Sequence, residues 1–253
     1  MYISDIDLIS KWAEKKSRYA SERPGKYLGR AVVTGFYIMV AIILSYTTGA
    51  ILYPKYPEVS KVIVAATFCF AIAMIVFFSG ELFTGNNFVM AVGMYKKRIN
   101  LSMAIKVWVY SFLGNAVGLI IFAYLFIKSG ASLSVIQYYI ESVAYAKLEL
   151  SVTQMVLRGI LCNFIVCLAY LSGIKMKSET GKFIMMFFSV FAFIIAGFEH
   201  SIANVGVFSV AYFALGGLPM ALVFKNLLWV VIGNMIGGGI LLALPLVYIS
   251  EED

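Results

Sequence analysis

Six long apolar stretches alternate with short polar segments: roughly Gly29–Leu52, Val62–Ser79, Met103–Ile127, Thr153–Ile174, Phe183–Phe198 and Leu222–Ile249. Each approaches or exceeds the roughly 18–20 residues that a helix needs to cross a hydrocarbon core. The pattern predicts an all-α polytopic membrane protein with six transmembrane helices. The second and fifth stretches have short apolar sequels, Phe88–Met94 and Val205–Leu215, too short to span alone. Between each stretch and its sequel the chain turns polar and glycine-bearing, at Ser79–Asn87 and Gly197–Asn204. The second and fifth helices are therefore expected to be broken. Non-helical backbone at membrane depth survives only where it is buried in protein or lines a wet cavity, so both breaks are expected to point inward.

The two halves of the chain repeat. Arg30-Ala-Val-Val-Thr-Gly35-Phe36 in the first stretch resembles Arg158-Gly-Ile-Leu-Cys-Asn163-Phe164 in the fourth. Glu81, after Gly80, aligns with Glu199, after Gly197-Phe198, and Gly114-Asn115-x-x-Gly118 aligns with Gly233-Asn234-x-x-Gly237. Three similarities in one order outweigh any one of them. Each half holds three spans, an odd number, so the second half enters from the opposite side. The expected architecture is two inverted three-helix repeats, about 27–128 and 150–250, within a single transmembrane channel domain, 27–250. Inverted repeats of this kind put a solute path at their interface. The glycine pairs lie four apart on one helix face and predict close helix packing, against a neighbour or the other repeat.

Composition narrows the class. Hydrophobic residues make up 62% of the 253 and charged residues 13%, too little polar surface for a soluble domain with an enzyme attached. The net charge of +7 does not indicate nucleic acid, because its placement follows the membrane. Seven Lys and Arg precede Ala31, and a further seven follow the second and fourth stretches. With both termini cytoplasmic, those cations lie inside, which is the positive-inside bias. The protein is expected in the cell (inner) membrane, multi-pass, with lipid as a partner. The first thirty residues are polar and lack the apolar core of a cleavable signal. Tyr2, Ile6, Ile9, Trp12 and Ala13 share one helical face, so residues 1–26 predict an amphipathic helix on the inner membrane surface. Cys69, Cys162 and Cys167 all fall inside spans and the chain has one histidine; neither disulfide framework nor metal site is indicated. No phosphate-binding glycine loop with an adjoining Lys is present, and no cofactor is expected.

The chemistry concentrates at the breaks. The half-helices after them would present free N–H groups and positive dipole ends to the midplane, favouring an anion or the oxygen end of a polar solute. His200 sits at the second break. A lone histidine in a soluble core is usually a satisfied donor, but an ionisable group inside a membrane is costly enough to indicate function. Thr84 offers a hydroxyl to His200, to the solute, or as a local cap. Glu81 and Glu199 would repel an anion, so they read as structural charges: acceptors for loop N–H groups, or partners of Arg30 and Arg158. Lys147, in the segment before the fourth stretch, reads as an outer-loop cation that draws anions to the mouth.

Glu81-Leu82-Phe83-Thr84, Arg158 through Asn163 and, above all, Gly197-Phe198-Glu199-His200-Ser201-Ile202-Ala203-Asn204 resemble the formate/nitrite transporter family over nearly the whole chain. The resemblance implies a homo-pentamer of aquaporin-like protomers, with one path in each and a central hole that conducts nothing. It implies small monovalent anions of weak acids as substrates: formate, nitrite, hydrosulfide, in some members acetate or lactate. It further implies His200 as a central histidine facing Thr84, Leu82 as the inner slit, and Phe68, Ile72, Val166 and Phe193 as an outer apolar constriction. Asn163, Asn204 and Lys147 match polar positions along the path. Gly80 before Glu81 and Asn86-Asn87 after the break depart from many relatives and bear on the slit. The pattern is most similar to the hydrosulfide-channel branch. A charge can cross such a constriction if it wets or if the anion is protonated; the expected mechanism is attraction of the anion by Lys147 and the half-helix dipoles, protonation assisted by His200, and passage as the neutral acid.

Two other readings compete. An aquaglyceroporin also pairs half-helices in inverted repeats, but its Asn-Pro-Ala signatures are missing. An intramembrane enzyme would use His200 as base, with Ser201 or Ser79 as nucleophile.

Overall fold

The apolar stretches fold as helices because, without water, a backbone N–H or C=O must find its partner within its own segment. The computed structural model describes residues 3–250, and every regular element among the described residues is helical. In chain order they are α1 (Ile3–Glu22), α2 (Pro24–Leu52), α3 (Pro57–Phe68), α4 (Phe70–Phe77), α5 (Phe83–Tyr95), α6 (Leu101–Lys128) and α7 (Leu133–Leu148). There follow α8 (Val152–Lys175), α9 (Glu179–Ile195), α10 (Ser201–Leu215), α11 (Met220–Ile236), a π-helical turn at Gly237–Ala243, and α12 (Leu244–Tyr248). Five helical runs are long and apolar enough to cross a membrane: Pro24–Leu52, Pro57–Phe77, Leu101–Lys128, Val152–Lys175 and Met220–Tyr248. This makes a multi-pass membrane protein. The expected fifth span is the exception, for α9 has 17 residues and stops short of that length.

Local chemistry sets the ends. Pro24 and Pro57 stand in the first turns of α2 and α3, where a missing N–H costs nothing. Ser151 and Gln154 cap α8 reciprocally, an arrangement that contributes about 1 kcal/mol to a helix start. The glycine pairs then decide which helices touch. Gly114 faces Ala31, and Gly118 faces Val32 O and the Cα of Gly35, so α6 lies directly on α2. Gly233 faces Val156 O and Gly159, and Gly237 faces Ile160 O, so α11 lies on α8 in the same way. Both pairs therefore pack against a helix of their own half of the chain, α6 on α2 and α11 on α8.

The π-helical turn follows from a side chain. Asn234 O accepts from Gly237 N and also from Asn163 Nδ2 at 2.7 Å. An amide inserted at a ladder carbonyl is one of the few causes of a register change inside a helix.

Two sequence expectations need correction. Within residues 1–26, α1 is amphipathic, but its apolar face is covered by protein: Ile6, Ile9 and Ala13 are fully buried in a cluster with Phe88, Val89 and Val92 of α5. Trp12 turns away from that face and is exposed; Tyr2 lies outside the described residues. The segment before α8 is not a loop. It forms α7, with Lys147 in its last turn.

Candidate functional site

The two breaks run from Phe78 to Leu82 and from Ala196 to His200. Each half-helix starts earlier than its apolar sequel suggests, at Phe83 and at Ser201, and the polar Asn86 and Asn87 are buried inside α5. With Glu81 set on Glu199, Ser79 and Gly197 occupy equivalent positions, and both have left-handed backbone, with φ of 54° and 75°.

One asparagine holds each break. Asn115 Oδ1 accepts from Phe83 N at 3.0 Å, while its Nδ2 donates to Ala31 O at 2.8 Å and Glu81 O at 2.9 Å. Asn234 Oδ1 accepts from Ser201 N at 2.9 Å, and its Nδ2 donates to Gly159 O at 2.8 Å and Glu199 O at 3.0 Å. Two buried backbone groups per break thus find a partner that the interrupted helix cannot supply, and the same amide ties each break to a carbonyl of the neighbouring helix, Ala31 O of α2 or Gly159 O of α8. The half-helix starts are consequently less open to an anion than the sequence suggested. Phe83 N and Ser201 N are taken by these asparagines, and Ala203 N donates to His200 Nδ1 at 3.1 Å.

The glutamates pair with lysines, not with the arginines. Glu81 binds Lys16 of α1 and also accepts from Tyr27 Oη at 2.9 Å and Asn86 Nδ2 at 3.4 Å. Burial works against the Lys16 ammonium, and Glu81 together with Tyr170 more than offsets it, holding its pKa above the ordinary lysine value. Glu199 binds Lys147 of α7 at 2.9 Å and accepts from Asn204 Nδ2 at 2.6 Å. Asn204 Nδ2 also reaches Asn226 Oδ1, whose amide donates to Lys147 O. Lys147 is therefore a partly buried, ion-paired group at the end of a helix. The Arg30 guanidinium stacks over Tyr19 at 5.0 Å instead, and Arg158 touches the Glu199 loop through its carbonyl, which accepts from Glu199 N at 3.3 Å.

His200 and Thr84 meet between the breaks, Nε2 to Oγ1, at 3.0 Å. Because Nδ1 accepts a backbone N–H, its lone pair is occupied; the proton of the neutral ring then sits on Nε2 and is donated to Thr84. His200 is thus the N-cap of α10 and, among the described residues, the one titratable side chain that lines the small chamber between the breaks. The Phe193 ring stacks on it at 6.0 Å between centroids.

Three cavities lie along one line of residues. On the α1 side a vestibule of about 780 Å³ reaches Ile75, Ser79, Gly80 and Glu81. On the α7 side a vestibule of about 400 Å³ reaches Lys147, Arg158, Glu199, Asn204 and His200. Between them a chamber of about 20 Å³ is lined by Phe68, Ile72, Leu82, Val166, Phe193 and His200, among others. Ile75 is shared by the first vestibule and the chamber; Phe68, Phe193 and His200 are shared by the chamber and the second vestibule.

The structure therefore brings Leu82, His200 and the four constriction residues to one chamber, and Asn204 and Lys147 to the adjoining vestibule. Thr84 and Asn163 are fully buried behind that wall; Asn163 Nδ2 donates to Thr84 O at 3.2 Å. Glu81 and Arg30 line the α1-side vestibule, and Glu199 and Arg158 the other. Sequence reasoning missed Lys16, Tyr27 and Asn226. It also passed over Asn115 and Asn234, though both stand beside the glycines it singled out. Ser201 Oγ has no hydrogen-bond partner among the described residues, so it is not paired with His200; Ser79, the other expected nucleophile, lies in the first break and lines the α1-side vestibule.

Known proteins share this fold. The chain is 31% identical over 256 residues to the nitrite transporter NirC of Salmonella typhimurium, covering 100% of this chain and 94% of that one. A solved structure described as an FNT family ion channel superposes with a TM-score of 0.91 at 30% identity, covering 99% of this chain and 100% of that one. A second, described as a pentameric formate channel with formate bound, shares the fold with a TM-score of 0.78 at 21% identity, over 91% of this chain and 100% of that one. These relatives are transporters and channels rather than enzymes. The family model described as formate/nitrite transporter matches residues 5–248, and the chain belongs to that family.

Proposed function

We propose that this protein passes a small monovalent anion of a weak acid across the cell membrane, through the chamber that links the two vestibules. The observation that carries the reading is that chamber: about 20 Å³, apolar except for His200, and closed on both sides by Phe68, Phe193, Leu82 and Ile75. So small a space does not admit a hydrated ion. A bare charge at such a depth costs about 2.5–3.5 kcal/mol on insertion scales, which favours passage as the neutral acid. Nitrite and formate are the first candidates, given the nitrite transporter and formate channel among the relatives; hydrosulfide, favoured by the sequence pattern, is the third.

The role of His200 shifts from the sequence expectation. Protonating the ring would require Nδ1 to release Ala203 N–H, so taking up a proton costs the cap of α10. The geometry supports a neutral His200 that donates Nε2–H to Thr84 and orients the solute. Lys147 is compensated by Glu199, so Lys61 and Arg158, which also line the α7-side vestibule, bias it towards anions, and the proton comes from water held there.

The recurrence of the asparagine, glutamate and lysine contacts in both halves supports a six-span protomer of two inverted repeats, aquaporin-like, with α9 and α10 together forming the fifth span. The likeness to the pentameric formate channel supports a homo-pentamer, and the cations of α1 support cytoplasmic termini. Proteoliposome flux of nitrite, formate and hydrosulfide tests the reading. It should rise as the pH falls and the neutral acid accumulates, with glycerol excluded; glycerol permeation without anion flux would replace the reading with the neutral-solute alternative.

A further inference from the structure

The α1-side vestibule is far larger than its partner and far larger than any three- or four-atom solute requires. Its volume of about 780 Å³ falls within the roughly 300–1,000 Å³ of sites that enclose cofactor-sized molecules. Six cationic side chains line it: Lys15, Lys16 and Arg18 from α1, Arg23 at the junction, Arg30 from α2 and Lys182 from α9. Against them stand Glu22, Glu81 and Glu179. Glu81 is already held by Lys16, whereas Lys15, Arg18, Arg23 and Lys182 make no ion pair among the described residues. A wall with that surplus draws a multivalent anion more strongly than a monovalent one, and guanidinium forks suit phosphate oxygens.

The wall also carries flat aromatic surface. Trp12, turned away from the covered face of α1, is 37% exposed, as is Leu8 on the same helix at 42%, and Trp12 lines the cavity. Tyr19, which also lines it, carries the Arg30 guanidinium over its ring. Cations beside stacking surfaces are the combination that holds a phosphorylated heterocycle. The cavity runs inward past Tyr170 to Ile75, Ser79 and Gly80, at the foot of the first break, so an occupant stands in the mouth of the path rather than on the lipid-facing surface.

We propose that this vestibule is a binding site for a free organic phosphate of the nucleoside phosphate class, and that its occupancy closes the path at that mouth. Binding rests on the cavity alone; closure rests on the transport reading above. The test uses the full chain in phosphatidylcholine nanodiscs, titrated calorimetrically with ADP, inorganic phosphate and adenosine. ADP is expected to bind at least about tenfold more tightly than either fragment, and the Arg18→Gln/Arg23→Gln/Lys182→Gln variant to lose at least about tenfold. These side chains are exposed or half-exposed, and an unchanged unfolding temperature separates lost binding from lost fold. ADP affinity no better than that of inorganic phosphate, or unchanged in the triple variant, overturns the site. Affinity abolished when the discs contain phosphatidylglycerol reassigns the wall to lipid headgroups and overturns it likewise. In proteoliposomes, ADP is expected to suppress nitrite flux of the native chain and not of the triple variant. Full flux at saturating ADP overturns the closure, whereas ADP binding by a protein that moves no anion at all overturns the transport reading and leaves the site standing.

Discussion

Thr84 and His200 are 116 residues apart in sequence and 3.0 Å apart in space, and their hydrogen bond ties the start of α5 to the start of α10. Thr84→Val keeps the shape and removes the acceptor, leaving the buried Nε2–H unsatisfied. The expected cost is about 1–3 kcal/mol, read as a lower unfolding temperature in detergent, together with reduced flux. Unchanged stability would mean that Nε2 finds another partner and that the assigned tautomer is wrong.

His200→Asn separates capping from titration. Asparagine is among the best N-cap residues, so α10 should survive, while the ring and its Nε2–H disappear. If His200 acts as a neutral donor, nitrite flux falls at every pH and its rise towards acid pH keeps its shape. If His200 is the proton source, that pH dependence flattens instead. Flux equal to the native chain's across the pH range would remove His200 from the path altogether.

Lys147→Met leaves the Glu199 carboxylate, 4% exposed, without its cation. Breaking a buried pair on one side costs about 3–5 kcal/mol, and replacing both partners costs much less. Lys147→Met is thus expected to lower the unfolding temperature sharply, and Lys147→Met/Glu199→Gln to recover most of the loss. The corresponding changes at Lys16 and Glu81 should behave alike. Additive losses in the double variants would show that each residue is held by something other than its partner.

Much of this arrangement was legible in the sequence because it depends on local pattern: apolar stretches, two polar interruptions, and three short matches between halves. The Gly-Asn pairs were visible too, but the eye goes to the glycines, whose packing is a known device. That the neighbouring amides satisfy the breaks follows only when α6 lies against α2, and α11 against α8, bringing Asn115 to Phe83 and Asn234 to Ser201. The lysines were harder still. Lys16 and Lys147 lie 65 and 52 residues before their glutamates, in segments whose charges resemble ordinary membrane-flanking cations. Arg30 and Arg158, matched across the two halves, were the expected partners instead. That Thr84 offers its hydroxyl to His200 was one of three options open from the polar residues of the two breaks, and the family resemblance pointed to the same pair.

Ser79 and Gly197 show how one backbone bend is made with two residue types. Both occupy left-handed backbone at the matched position of the break, with φ of 54° and 75°. For a residue with a Cβ that conformation costs about 1–2 kcal/mol, and for glycine nearly nothing. A Cβ at Gly197 meets no atom within 4 Å, so Gly197→Ala isolates the conformational cost and should destabilise by about 1 kcal/mol. Ser79→Gly should do the reverse and stabilise, by somewhat less, because glycine also gains entropy in the unfolded chain. Thermal unfolding of the two variants side by side checks the pair. Shifts of the same sign would show that the two bends, though matched in geometry, are not held by the same means.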